Sequence, residues 1–306
     1  MDNKDPILHI GYPKTATKWF QSFFYPNISG VWPVSRETTF QKLVFKSLFE
    51  YSAVDTFAWF NSQYPEKQII VCDEILLGGL DIGFGMGEYV WMMANRLHST
   101  FPTANVVVFI RNQVQILESA YSHYVKSGGT FSLKRFLGIR KSYAKPFMGY
   151  HLFNPDFFNY SNVLELYMLL FGEEKVHIYL YEDFKANPKV FIEKFCQELN
   201  INADISDLHF SENLNVRLSK VSISIMRLLN HFTRKNTPFK KYFFHLKGMY
   251  EFTISLTGKL DRWMKLSPFT FSRSIVAWSE NYYRTANNNL TKWVNKNKLE
   301  KYKYPL

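Results

Sequence analysis

The chain has 306 residues, 46% hydrophobic and 18% aromatic, enough for a large core in one elaborated α/β domain or two small ones. Its formal charge of +11 is uneven, with 18 Lys and Arg against 4 Asp and Glu in residues 214–306 and 19 against 22 elsewhere. No secretory leader opens it, no run approaches the ~20 apolar residues of a membrane span, and Cys72 and Cys196 fit no disulfide or metal framework, so a cytoplasmic location is expected.

Short apolar, β-branched runs at 7–10, 68–72, 105–110 and 175–181 predict buried strands, and because they do not alternate with polar residues the sheet should be parallel. Helical periodicity separates them, at 17–24, 87–100, 113–126, 156–171 and 187–199. In the last of these Asn187 is a natural N-cap and Pro188 a natural first residue. This alternation predicts βαβ units with right-handed crossovers. Five glycines within 78–87 predict a mobile loop. Beyond about residue 211 strand signals fade, and helices are expected at 221–232 and 275–293 among basic, aromatic-rich segments. Such a surface suits a polyanionic acceptor, an anionic membrane or nucleic acid; a solvated basic helical face is the plain alternative.

The first strand runs into Gly11-Tyr-Pro-Lys-Thr-Ala-Thr-Lys-Trp19 and a helix. Unpaired amides at a helix start, with the positive end of its dipole, bind anions. Lys14 adds a positive charge, and Thr15 and Thr17 add hydroxyl donors. The Gly-Lys-[Ser/Thr] that holds phosphates and a Mg²⁺ ligand in nucleotide triphosphatases is absent, so the loop is suited to a phosphate-like group with no metal required.

These residues closely resemble the 5′-phosphosulfate loop of PAPS-dependent sulfotransferases, Pro-Lys-[Thr/Ser]-Gly-Thr-Thr-Trp. Pro13, Lys14, Thr15, Thr17 and Trp19 match, while Ala16 stands for the usual Gly and Lys18 for the usual Thr. Ala16 fits this pattern if its φ is negative. The resemblance implies that Lys14 contacts the leaving phosphate, that Thr15, Ala16, Thr17 and Lys18 cradle the 5′-phosphate, and that Trp19 lies close to the adenine. A second resemblance lies at the strand 105–110, which leads to Arg111 with Ser119 two helical turns on, as in the family's 3′-phosphate motif. The usual Asp-Pro is here Asn112-Gln113. A planar guanidinium and a serine hydroxyl suit a phosphate. The segment 178–188 is also similar, and Arg217 is carried over from a looser match near the 3′-phosphate.

Transfer of a sulfuryl group to a hydroxyl needs a base. The strand 68–72 delivers Asp73 and Glu74 to the carboxyl edge of the sheet, where ligands gather in open α/β folds. Glu74 aligns with a Glu of the similar bacterial carbohydrate-type enzymes and is the expected base, with Asp73 a cap or ion-pair partner. His123, four residues past Ser119, is the competitor; His9 reads as a core histidine. The resemblance implies a P-loop NTPase-like three-layer sandwich with a central parallel sheet, as one domain over 1–306: a donor-binding core at about 5–210 and a basic, mostly helical extension at about 211–306. It also implies PAPS as donor, 3′,5′-ADP as product, and no nucleic-acid partner. The acceptor would be a hydroxyl of a carbohydrate or glycolipid. Trp32, Trp59, Trp91 and Tyr143 could stack on sugars, and 78–87 and 127–130 could form lids. The basic third could touch an anionic membrane. A P-loop kinase or NTPase and a non-catalytic polyanion-binding module are the alternatives.

Overall fold

The computed structural model describes residues 4–78, 88–139, 153–206, 208, 210, 218–235, 240 and 243–306. Five parallel strands form one sheet in the order β2-β3-β1-β4-β5. They are β1 (Ile7–His9), β2 (Val31–Pro33), β3 (Gln68–Cys72), β4 (Asn105–Ile110) and β5 (Val176–Leu180). Central β1 pairs on both sides, Leu8 opposite Val71 on one and Val106 on the other. Four strands lie where the apolar runs predict them. Edge strand β2 is the addition: three residues ending in Pro33, which lacks an amide donor and is tolerated at an edge.

The period of two along each strand divides the core between the two sheet faces. Leu8, Val71, Val106, Val108 and Ile110 join one cluster, with residues of the helices Glu88–Thr100, Gln113–Lys126 and Tyr160–Phe171. Ile7, Ile70, Cys72, Val107 and Phe109 join the other, with Phe20 and Phe24 of the first helical segment and Ile192 and Phe195 of the helix Pro188–Glu198. Helices therefore cover both faces, the expected three-layer α/β arrangement. The carboxyl third contributes to the first cluster through Met226, Ile275, Tyr283, Leu290, Leu299 and Tyr304. Helices that the sequence pattern did not reveal include Ala53–Gln63, Met249–Trp263 and Lys296–Lys301.

The segments that follow β1 and β4 pack on opposite faces, so the chain parts at the carboxyl ends of these neighbouring strands. Such a divergence opens a crevice, the usual ligand position in doubly wound sheets.

Candidate active site

The loop after β1 starts in a tight place. A Cβ on Gly11 would lie 3.2 Å from His9 Nε2, closer than side chains normally approach. Tyr12 is buried against Phe157, Phe158 and Tyr160, and its carbonyl accepts a hydrogen bond from Thr15 Oγ1. Two residues of the loop are left-handed without being glycine, Lys14 at φ 70° and Ala16 at φ 73°. The condition set for Ala16, a negative φ, is therefore not met. The backbone here keeps the conformation that a glycine adopts freely, and alanine bears it at a cost of about 1–2 kcal/mol. The compensating feature is the helix start that this conformation aims.

Ala16 is the N-cap and offers no side-chain acceptor, so the first amides of the helix are left for another partner. The helix runs as Thr17–Trp19, widens to π-type turns over Phe20–Phe24, and ends in a tight turn at Tyr25–Asn27. Thr17 Oγ1 is buried with no hydrogen-bond partner among the described residues. An orphaned hydroxyl beside uncapped amides fits an incoming oxyanion. Pro13 and Thr15 are buried, whereas Lys18 is exposed. Trp19 keeps only 5% of its surface exposed and stacks among Phe20, Phe24, Phe184 and Phe210. It is a ring of the core.

Arg111 leaves the end of β4 beside this loop. Its Nη1 donates to the carbonyl of Lys14 at 3.0 Å, and its guanidinium lies 4.6 Å from the centre of the Tyr181 ring. The two segments that resemble phosphate-binding motifs are thereby tied together. The Arg111 carbonyl accepts from Tyr160 Oη at 2.6 Å. Asn112 caps the next helix by accepting from the Gln115 amide at 3.1 Å. Its own amide donates to Glu182 Oε1 at 2.8 Å, and its Nδ2 reaches the carbonyls of Lys303 and Tyr302 at 2.5 and 3.2 Å. Gln113 and Asn287 exchange two side-chain bonds, of 2.6 and 3.0 Å. Asn112 and Gln113, where the family pattern has Asp-Pro, thus bind the arginine's turn to the carboxyl third. Tyr304 Oη donates to Glu182 Oε2 at 3.0 Å and closes the frame. Burial raises the Glu182 carboxyl above its ordinary range, and the Asn112 amide pulls it back.

Ser119 is partly buried on the helix Gln113–Lys126. One turn later His123 Nδ1 lies 3.4 Å from Lys14 Nζ. An ammonium can only donate, so Nδ1 accepts and the ring proton sits on Nε2. Burial first, then Lys14, Lys18 and Lys126, push the His123 pKa down to about 3. Such an imidazole is neutral and poorly disposed to take a proton. Arg217 lies outside the described residues. Its neighbour Leu218 donates to Ser122 Oγ at 3.2 Å, on the same helix.

On the other side of β1, Asp73 is fully buried and caps the turn Glu74–Leu76 through the Ile75 amide at 2.9 Å. Gln21, on the loop's own helix, donates to the Cys72 carbonyl at 2.6 Å and to Asp73 at 3.4 Å. Burial raises the Asp73 pKa to about 6. Arg36 spans both carboxylates, 3.5 Å from Asp73 and 3.8 Å from Glu74. Asp73 is thus the cap expected of it. Glu74 keeps one oxygen, Oε2, buried and unpartnered among the described residues, beside the partly exposed Arg36. Arg36, Gln21 and Tyr304 carry no motif and were missed by sequence reasoning, whereas Glu182 lies in the family-like segment 178–188 without having been assigned a task.

His9 is the core histidine expected, with its ring on Phe109, Nδ1 3.0 Å from Tyr25 Oη, and its pKa pushed down to about 3 by burial. Trp32 packs on Trp59, Phe60 and Tyr64, leaving Trp91, 62% exposed, as the freest of the proposed sugar platforms that are described. Tyr143 and residues 79–87 lie outside the described residues. The 127–130 turn is pinned: a Cβ on Gly128 would meet the Lys235 carbonyl at 2.6 Å, and the amides of Thr130 and Phe131 donate to Tyr124 Oη.

Among the described residues no cluster of His, Cys, Asp and Glu forms a metal-ligand set, and no helix is long and apolar enough to cross a membrane. No family model matches the sequence, and no curated protein matches it. Solved structures do. The sulfotransferase of Alicyclobacillus acidocaldarius is 20% identical, over 69% of this chain and 87% of that one, with a TM-score of 0.48. Mouse sulfotransferase SULT7A1, complexed with PAP, is 16% identical over 66% of this chain and 61% of its own, with a TM-score of 0.40. Sulfotransferase STF1 of Mycobacterium tuberculosis H37Rv is 14% identical over 67% and 69%, with a TM-score of 0.36. Sulfotransferases are thus what this chain is similar to.

Proposed function

We propose that this protein is a sulfotransferase that uses PAPS to sulfate an acceptor hydroxyl. The observation that carries the reading is the bond from Arg111 to the Lys14 carbonyl, which joins two anion-binding elements from neighbouring strands into one site. A donor with phosphate groups at both ends of a nucleoside needs such a pair, whereas a nucleoside triphosphate needs only the first. When bound, the donor supplies an activated sulfuryl group on a phosphate leaving group.

The chain's residues then have distinct tasks. The amides of residues 16–18 and the Thr17 hydroxyl hold the 5′ end. Lys14 neutralises charge on the leaving phosphate, a task of electrostatics and positioning rather than proton transfer. Arg111 and Ser119 hold the 3′-phosphate, with Arg217 a further contact. Glu74 takes the acceptor proton; the burial and neighbouring lysines that weaken His123 as a base support this choice over the histidine. The acceptor class we propose, from the bacterial resemblance, is a carbohydrate or glycolipid hydroxyl, in a cytoplasmic setting. A glycolipid acceptor would bring the enzyme to a membrane, with the basic carboxyl third as its contact.

The test is ligand-induced thermal stabilisation. 3′,5′-ADP at 100 times its Kd should stabilise the protein by about 2.7 kcal/mol, and ATP with Mg²⁺ should do far less. Lys14→Ala and Arg111→Ala should each weaken 3′,5′-ADP by about 10- to 100-fold, the worth of a charged hydrogen bond. No shift with 3′,5′-ADP, or a larger one with ATP and Mg²⁺, would overturn the reading.

A further inference from the structure

The helix Met249–Trp263 is built inside out. Thr253 and Thr257, each 1% exposed, are its buried positions, and their hydroxyls turn back onto the carbonyls of Met249 and Thr253 at 2.7 and 2.8 Å. Its outward positions carry the large side chains: Phe252 is 57% exposed, Leu256 38% and Trp263 83%. Spacings of four and seven residues put these three on one stripe. Further large apolar side chains are exposed before and after the helix, Phe243 and Phe244 on one side and Met264 on the other. Single exposed apolar residues are ordinary, but a stripe of this length marks a contact surface.

The charges around the stripe are mostly positive. Lys247, Lys259, Arg262 and Lys265 are exposed along it. The helix's Asp261 is turned inward, accepting from the Ser219 amide at 3.2 Å and from Ser222 Oγ at 2.7 Å. Only Glu251 leaves a negative charge on the outer side. Two copies of the chain pressed together here would set four cations against four. An anionic surface instead neutralises them while accepting the aromatic side chains. A shallow stripe of Phe, Leu and Trp flanked by Lys and Arg is the composition of helices that lie in the plane of a bilayer interface.

We infer that the outer face of Met249–Trp263 binds the headgroup region of an anionic lipid bilayer, lying parallel to it. This deepens the membrane contact proposed for the basic third and does not depend on sulfuryl transfer.

The test is sedimentation of the full chain with unilamellar vesicles, of phosphatidylcholine alone or with about 30% phosphatidylglycerol. Binding should require the anionic lipid and weaken at least tenfold in high salt. Lys259→Ser with Arg262→Ser should reduce partitioning by about 30-fold, from roughly fivefold per cation near an anionic surface. Phe252→Ser with Trp263→Ser should reduce it at least tenfold while retaining the salt dependence. The thermal shift with 3′,5′-ADP should be unchanged in both variants, which separates loss of membrane binding from misfolding and from failure of the donor-site reading. Equal sedimentation of wild type and both variants, or equal binding to pure phosphatidylcholine, would overturn the inference. So would a wild type that ignores vesicles but forms dimers that the Phe252/Trp263 variant dissociates.

Discussion

Ala16 holds a left-handed conformation, φ 73° and ψ 10°, at the cap of the phosphate-loop helix. Replacing it with glycine removes the clash between Cβ and the following carbonyl, a gain of about 1–2 kcal/mol. Glycine also loses more chain entropy on folding, which returns about 0.4–1 kcal/mol. The expected net stabilisation is about 0.5–1 kcal/mol. With an unfolding entropy of about 2.1 cal/mol/K per residue, 306 residues lose about 0.6 kcal/mol per degree, so Tm should rise about 1–2 °C. Ala16→Val is the control, since a β-branched residue tolerates this region worse than alanine, and its Tm should fall. Differential scanning calorimetry of the three proteins without ligand reads both shifts. A lower Tm for Ala16→Gly, or an unchanged one for Ala16→Val, would refute the argument that this backbone position is strained.

Glu74→Gln should leave 3′,5′-ADP affinity within twofold while lowering turnover by about 10²–10⁴-fold, the usual worth of a general base. If His123→Gln lowers turnover more than Glu74→Gln does, the base assignment is wrong. Burial holds the His9 pKa near 3 against an ordinary 6.5, so below pH 6.5 the unfolded chain binds a proton that the folded one refuses. Stability should therefore fall as pH drops, by about 2 kcal/mol between pH 6.5 and 5 from this residue. Asp73, raised to about 6, acts in the opposite sense between about pH 6 and 4, because its folded form takes the proton first. Comparing pH-dependent melting of wild type and His9→Phe isolates the histidine: the variant should lack that fall, though it is about 1 kcal/mol less stable throughout because Tyr25 Oη loses its partner. Tyr304→Phe strips a buried donor from Glu182 and should cost about 1–3 kcal/mol, a Tm loss of about 2–5 °C by the same conversion. An unchanged Tm would show that the frame around Asn112 does not need the tail.

The parallel sheet was legible because β1, β3 and β4 are apolar on both faces, a pattern that only burial under two helical layers explains. β2 was not, since three residues with a proline carry too little pattern to rise above a turn. In the site, Lys14 and Thr17 stood out through residue type and their place before a helix start, and Arg111 through its resemblance to the family's 3′-phosphate motif. The φ of Ala16 did not, because residue type sets only a preference and the surrounding fold decides the outcome. Arg36 and Tyr304 were invisible for another reason: their partners lie 37 or 38 and 122 positions away, beyond any local pattern.

The bond from Asn112 to the Lys303 carbonyl spans 191 positions. Loops of that length close late, after the local helices and neighbouring strand pairs have formed. During synthesis, the sheet and the phosphate loop can therefore assemble while the turn bearing Arg111 still lacks its brace. The anion site would then exist in two successive forms: first a loop open to any phosphate, and later the arginine-framed crevice. On the function proposed above, selectivity for a doubly phosphorylated nucleotide would be acquired at the final docking of the tail, not with the fold of the sheet.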